Sequence, residues 1–252
     1  MSLKNKLITL TGSASGIGLS TARILARRGA LLSLADYNKK NLETAHAELV
    51  SLSSSDKILS TSLDIRSSSA VNSWVSKTKK QFGQTIDGCA NIAGFHPTWT
   101  PKNVESITDD EFDQVMTINT TGLFRCLRAQ LAPGILSNPS SIVNVGSVSG
   151  LIGFAGDAAY VASKHAVHGI SKCAAKEAGP RGIRVNVVAP GQTDTPMVRA
   201  MQEANGTLPL PNVPLGRDAK PEEVAELIVW LLGEESSFVT GSVYRVDGGL
   251  VD

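Results

Sequence analysis

Leu7-Ile8-Thr9-Leu10-Thr11-Gly12-Ser13-Ala14-Ser15-Gly16-Ile17-Gly18 begins as an apolar run of strand formers and breaks at once into a glycine turn. Beyond it Leu19, Ala22, Leu25 and Ala26 recur at helical spacing until Gly29. That periodicity predicts a helix packed on one face and stopped by the glycine. Glycines in such a turn permit backbone angles that other residues avoid, and they let a phosphate approach the helix N-terminus. Free N–H groups and the helix dipole favour an anion there. Gly12, Ser15, Gly16, Ile17 and Gly18 are therefore candidates for holding a nucleotide. A glycine turn alone is weak support; the strand before it and the helix after it supply the needed context.

The second apolar run, Leu31 to Ala35, ends at Asp36, twenty residues beyond Gly16. A carboxylate at that distance suits hydrogen bonds to the hydroxyls of an adenosine ribose and repels a 2′-phosphate. Tyr37 stands where a base would be expected for a 2′-phosphate, and Ser13, Ala14 and Ser15 add no positive charge. The plainer alternative is a solvated Asp at a strand end. With the glycine turn in place, the ribose role and NAD over NADP are expected.

The same alternation continues. Further strands are read at Ile58 to Leu63, Ile86 to Asn91, Ser141 to Val145, Arg184 to Ala189 and Ser242 to Val246. Between them lie helices marked by Leu42, Ala45, Leu49 and Val50, and by Val71, Trp74, Val75 and Phe82. Thr108-Asp109-Asp110-Glu111 matches a capping box opening a long helix that carries Asn119 and ends near Pro133-Gly134. A small-residue helix follows a glycine-rich passage and stops at Gly179-Pro180, and Pro221-Glu222-Glu223 opens the last helix. Strands and helices alternating over short connections predict an α/β fold, a Rossmann-type doubly wound parallel sheet with helices on both faces. One domain over residues 1–252 is expected, with 192–214 as a substrate-covering segment inside it.

Hydrophobic residues make up 42% of the 252, charged residues 19%, and the formal net charge is +1. This balance gives no basis for nucleic acid or an anionic membrane as partner. Cys89, Cys126 and Cys173 are few and far apart, which suits reduced, buried thiols better than a disulfide framework or a zinc site. No metal site is expected. The N-terminal residues lead straight into a strand, and no apolar run reaches membrane-spanning length. A cytoplasmic protein is the default expectation.

Tyr160 and Lys164 lie four residues apart, and Ser147 precedes the tyrosine by thirteen. On a helix the two side chains share a face. A phenol titrates near 10, and lowering it to about 7 needs about 4 kcal/mol of differential interaction, which a neighbouring ammonium can help supply. A tyrosine and a lysine that share a helix by coincidence fit the local spacing equally well.

Taken together these residues resemble the short-chain dehydrogenase/reductase family over essentially the whole chain. Thr11, Gly12, Gly16 and Gly18 match its glycine motif, and Asp64, with Ile65 beside it, matches the acid near the adenine. Asn91-Ile92-Ala93-Gly94 resembles its N-N-A-G motif that braces the sheet, with Ile92 replacing the second Asn, a departure that touches bracing contacts and not chemistry. Asn119, Ser147, Tyr160 and Lys164 fall on the family's catalytic four in order and spacing. Pro190, Gly191 and Thr195 match the segment beside the nicotinamide, with Thr193 where an aliphatic residue is usual.

The resemblance implies an NAD(H)-dependent oxidoreductase acting on CH–OH groups, interconverting a secondary alcohol and a ketone. It implies Tyr160 as general acid and base, and Lys164 holding the nicotinamide ribose and lowering the Tyr160 pKa. It also implies Ser147 on the substrate oxygen and Asn119 holding a water in a proton relay; Asn119 can at the same time satisfy a kink in the long helix. Asn91, Ala93 and Gly94 join the expected cofactor contacts. For substrate, His96, Trp99, Ser149, Phe154, Gln192, Met197 and Met201 are candidates, with loop or core packing as the alternative for each. The apolar members suit a hydrophobic ketone or alcohol that is steroid-, terpenoid- or polyketide-like. His165 reads as packing or interface, and His46 and His168 as surface or interface residues. A 3-oxoacyl-carrier-protein reductase is the alternative enzyme, with Asp36 against it. A non-catalytic NAD-binding sensor or scaffold is the alternative of another class. The family implies a homotetramer, or a homodimer, with the two long helices at one interface.

Overall fold

The computed structural model describes residues 3–98, 100–206 and 213–251. Its strands are β1 (Leu7–Thr11), β2 (Leu31–Asp36), β3 (Ile58–Ser62), β4 (Ile86–Asn91), β5 (Leu136–Val145), β6 (Ile183–Pro190) and β7 (Val243–Val246). They form one sheet in the order β3-β2-β1-β4-β5-β6-β7, and every pairing is parallel. The chain winds outward from β1 to β3, returns to the other side of β1, and winds out again to β7. Between β1 and β4 the winding reverses, which opens a crevice beyond their C-terminal ends.

Helices α1 (Gly16–Arg27), α2 (Lys39–Leu52), α3 (Ser68–Phe82), α4 (Asp109–Met116), α5 (Leu123–Gln130), α6 (Ala158–Ala178), α7 (Pro196–Asn205) and α8 (Pro221–Leu232) surround the sheet. Alternate residues of each strand feed opposite faces. Ile8, Leu10, Leu32 and Leu34 pack with Leu25 of α1 and Ile228 of α8. Leu7, Cys89, Ile142 and Val185 pack with Trp74 of α3 and Leu127 of α5. The Trp74 indole N–H is buried and donates to Ser33 Oγ at 2.9 Å, while Ser33 and Thr78 share a 2.6 Å hydrogen bond. A polar group so enclosed must be partnered, and this network does it.

The expected sheet and its flanking helices are present, with four differences. β5 starts at Leu136, not Ser141, because Leu136 pairs with Ile86 ahead of a register shift before Gly88. The long helix has its expected capping box at Thr108 and Glu111, but a π-helical turn over Thr117–Gly122 separates α4 from α5. Part of the segment from 192 to 214 is helix α7, with Thr195 as N-cap and Pro196 in its first turn. Cys89 and Cys126 are buried as expected, but Cys173 on α6 is exposed. Burial pushes the first two thiols up to about 12. Among the described residues, no helix is long and apolar enough to cross a membrane.

Candidate active site

The crevice at the winding reversal holds a cleft of about 530 Å³. One wall is the glycine turn between β1 and α1. Gly12 and Gly16 have positive φ, 66° and 48°, where a side chain is strained. A Cβ on Gly12 would stand 2.7 Å from the Ala93 nitrogen, and one on Gly18 would collide with the Gly12 carbonyl oxygen. Ser15 caps α1 without a side-chain hydrogen bond, and no acidic residue occupies the first turn. The first N–H groups of α1 therefore keep their affinity for an anion. This bare turn fits the phosphates of a dinucleotide.

Farther along, Asp36 is fixed at the end of β2 by two backbone donors, Ala14 N at 3.0 Å and Asn38 N at 2.8 Å. Asp36 lines the cleft together with Tyr37 and the glycine turn. Asp64 and Ile65 line the same end. The Arg66 guanidinium hydrogen-bonds Asp64 at 2.9 Å and holds its carboxyl below the usual carboxylate range. Tyr37, the position where a base would mark a 2′-phosphate, lines this end too, as does Arg66, whose sequence signal is its place two residues beyond Asp64.

Ala93, Gly94, Pro190, Gly191, Thr193 and Thr195 also line the cleft, whereas Asn91 does not. Its side chain bridges Gln130 and Asn144 at 2.9–3.0 Å, bracing β4 against β5 and α5, which is the bracing expected of its motif. Thr193 turns its hydroxyl to Gly191 O at 3.1 Å and is buried.

At the opposite end α6 presents Tyr160 and Lys164, and the residues after β5 present Ser147. Lys164 Nζ is buried, donates to Val145 O at 3.1 Å, and lies 5.4 Å from the Tyr160 ring centre. Asn119 sits in the π-turn, accepts from Phe95 N at 2.7 Å, and donates to Phe95 O and Ser163 Oγ at 2.8 and 3.0 Å. It ties the loop after β4 to α6, since Ser163 in turn donates to Tyr160 O at 2.7 Å. A Cβ on Gly94 would approach Lys164 Nζ at 3.5 Å and Asn119 Oδ1 at 3.6 Å, so glycine keeps the gap between those two groups open.

Electrostatics at this end are dominated by desolvation. Burial, and then the Asp157 carboxylate, raise the Tyr160 phenol well above its ordinary value; the Ser147 hydroxyl opposes the shift. Burial lowers Lys164 from 10.5 to about 8. An ammonium harder to form in the fold than in the unfolded chain costs stability at every pH below about 8, and that cost is relieved as pH rises towards 10.5. It amounts to about 3 kcal/mol, against roughly 1 kcal/mol returned by the bond to Val145. Lys164→Met is expected to stabilise the cofactor-free protein at pH 7 by about 2 kcal/mol, read from urea unfolding. A destabilised variant would contradict that balance.

His168, one turn beyond Lys164, is a correction to its reading as a surface or interface residue. It is 4% exposed, wedged against Gly146 and Gly150, where no larger residue would leave it room. Neither ring nitrogen makes a well-formed hydrogen bond. Burial, and then the Lys164 charge, lower its pKa from 6.5 to about 4. Below pH 6.5 the unfolded chain takes up a proton that the fold refuses, so stability falls as pH drops towards 4. Between pH 7 and 5 this group alone should remove about 2 kcal/mol. His168→Leu is expected to lessen the acid loss by that amount; the same drop in urea midpoint in both proteins would contradict it.

Among the substrate candidates, Met197 lines the cleft. His96 packs its ring on Tyr160, with centroids 4.3 Å apart. Ser149 is buried and donates its N–H to Ser147 Oγ at 3.1 Å. Gln192 reaches Asp218 at 3.4 Å. Neither Ser149, Phe154, Gln192 nor Met201 lines the cleft, and Trp99 falls outside the described residues. His165 turns its Nδ1 to Val161 O at 2.9 Å, and His46 to Ser60 at 2.7 Å.

The chain matches the family described as enoyl-(acyl carrier protein) reductase over residues 12–251. It is 42% identical over 252 residues to the short-chain dehydrogenase/reductase aba4 of Botryotinia fuckeliana, covering 97% of this chain and 96% of that protein. It is 38% identical over 251 residues to the 3-oxoacyl-[acyl-carrier-protein] reductase FabG of Thermotoga maritima, covering both chains in full. The crystal structure of 3-ketoacyl-(acyl-carrier-protein) reductase from Brucella melitensis complexed with NADH superimposes with a TM-score of 0.87 at 28% identity, over 99% of each chain. With this sheet, its bare glycine turn and these full-length relatives, the chain belongs to the short-chain dehydrogenase/reductase family, oxidoreductases that bind a nicotinamide cofactor.

Proposed function

We propose that the protein interconverts a secondary alcohol and a ketone with NAD(H), with Tyr160 as the proton donor and acceptor. What carries this reading is that Ser147, Tyr160 and Lys164 line one cleft with the glycine turn and Asp36. A nicotinamide bound along that cleft would supply or accept the hydride. Tyr160 gives its phenolic proton to the carbonyl oxygen in reduction and takes it back in oxidation. Ser147 holds that oxygen by a hydrogen bond, orienting it and offsetting the charge that develops. Lys164 holds ribose hydroxyls and, as a cation beside the ring, favours phenolate. Asn119 positions α6 against the loop after β4 and serves a water-mediated proton path from Lys164. In this reading residues 1–252 act as one domain, and residues 192–214, containing α7, close over the substrate.

The substrate is a hydrophobic small molecule, steroid-, terpenoid- or polyketide-like; Met197, Val198, Phe95 and Ile118 supply an apolar lining. A 3-oxoacyl-carrier-protein reductase is the second reading, favoured by the FabG relative. Rates with a free hydrophobic ketone and with a carrier-bound 3-oxoacyl thioester separate them. The first reading expects at least tenfold higher kcat/KM for the free ketone, and the reverse order would replace it with the second. Assembly as a homotetramer through α4–α5 and α6, in the cytoplasm, completes the proposal; the exposed faces of Phe112 and Phe124 support such packing.

A further inference from the structure

His96 and Asp157 are joined above the ring of Tyr160, where neither has a part in the chemistry described so far. Asp157 immediately precedes α6, three residues before the tyrosine, and His96 follows β4. His96 Nε2 stands 3.2 Å from the Asp157 carboxylate, and Nδ1 stands 2.9 Å from Pro97 O. A carbonyl and a carboxylate both accept, so the geometry has each ring nitrogen donate, Nδ1–H to Pro97 O and Nε2–H to the carboxylate. The imidazole plane tilts 50° to the phenol ring, with centroids 4.3 Å apart. A second strap holds the same two segments together: Lys102 N donates to Gly156 O at 3.2 Å, and Pro101 lies where a Cβ on Gly156 would be only 2.7 Å away.

We propose that His96 and Asp157 act as a positioning pair for Tyr160, in which the histidine cancels the field of the carboxylate on the phenol and so sets how readily the phenol ionises. This rests on Tyr160 being the proton donor and acceptor of the reaction. Asp157 by itself disfavours phenolate, and a lone carboxylate beside a general base would oppose its work. With Nε2–H donated to the carboxylate, that opposition is offset, and the imidazole packed at a tilt on the phenol fixes its orientation. Among the described residues, the other groups that act on Tyr160 are the Lys164 ammonium on its own helix and the Ser147 hydroxyl facing it. Arg199 on α7 is engaged by Asp194 at 2.7 Å.

The two partners act with opposite sign, which separates a tuning role from a purely structural one. Phenolate absorbance of the NAD⁺-bound protein, taken as the difference from Tyr160→Phe, reads the ionisation of Tyr160 without turnover. Asp157→Asn should move the onset of phenolate to lower pH, and His96→Gln should move it to higher pH, each by about 1 unit. The pH at which alcohol oxidation is half-maximal should move the same way. Coincident titrations for wild type and both variants, or shifts in one direction for both, overturn the proposal. Protein that oxidises no alcohol would overturn the oxidoreductase reading instead, and the absorbance titration would still decide this one.

Discussion

Tyr160→Phe should lower the rate of ketone reduction by about 10³-fold while leaving NADH binding unchanged. The substitution removes one oxygen and little else. A phenylalanine keeps the ring that packs on His96 at 4.3 Å and stays under the Lys164 ammonium at 5.4 Å. The glycine turn, Asp36 and Asp64 lie at the far end of the cleft and are untouched. What is lost is the proton that must reach the carbonyl oxygen when hydride reaches its carbon. Ser147 remains as a hydrogen-bond donor, so some residual rate is expected, but a serine hydroxyl is a far weaker acid. Steady-state rates paired with a fluorescence titration of NADH check both halves. A variant with near-normal turnover would remove Tyr160 from the chemistry.

NADH should be preferred to NADPH by about 10²-fold in kcat/KM, and Asp36→Asn should erase about a factor of ten of that preference. The Asp36 carboxylate is not free to swing away, because Ala14 N and Asn38 N each hold one of its oxygens. A phosphate on the adenosine ribose would add nearly two negative charges beside it. At an effective dielectric suited to a site near the surface, one pair of unit charges 4 Å apart costs about 4 kcal/mol, and exposure and salt reduce this to about half. Arg66 is the nearby charge of opposite sign, but Asp64 engages it at 2.9 Å. Asparagine keeps an acceptor for the backbone and removes the repulsion. Equal efficiencies with the two cofactors in the wild-type protein would contradict the role given to Asp36.

The sheet was legible because buried parallel strands are written as short apolar runs, and their turns are punctuated by glycine and by caps such as Thr108 and Glu111. The phosphate end of the cleft was legible for a related reason: a turn without side chains needs glycines at fixed offsets, and Gly12, Gly16 and Gly18 have no substitute. Properties that depend on what packs from elsewhere in the chain were not legible. His168 reads as an ordinary helix histidine until Gly146 and Gly150 close over it. Asn91 lies in a motif that reads as bracing the sheet, but its partners, Gln130 on a helix and Asn144 on a neighbouring strand, are set only by the fold. His96 and Asp157 are 61 residues apart and meet only because two loops cross above α6. Helix α7 was a different kind of miss. Thr195 before Pro196 is a readable start signal, hidden by the prolines and glycines around it.

We propose that this cleft carries out hydride exchange and does not merely bind a nucleotide. Its most direct test follows NADH absorbance in the purified protein with a panel of hydrophobic ketones, and NAD⁺ reduction with the matching secondary alcohols. NADH should be consumed with at least one ketone, regenerated with its alcohol, and turned over about 10³-fold more slowly in Tyr160→Phe. Saturable NADH binding with no absorbance change in either direction across the panel would contradict it and leave a nucleotide-binding sensor or scaffold in its place.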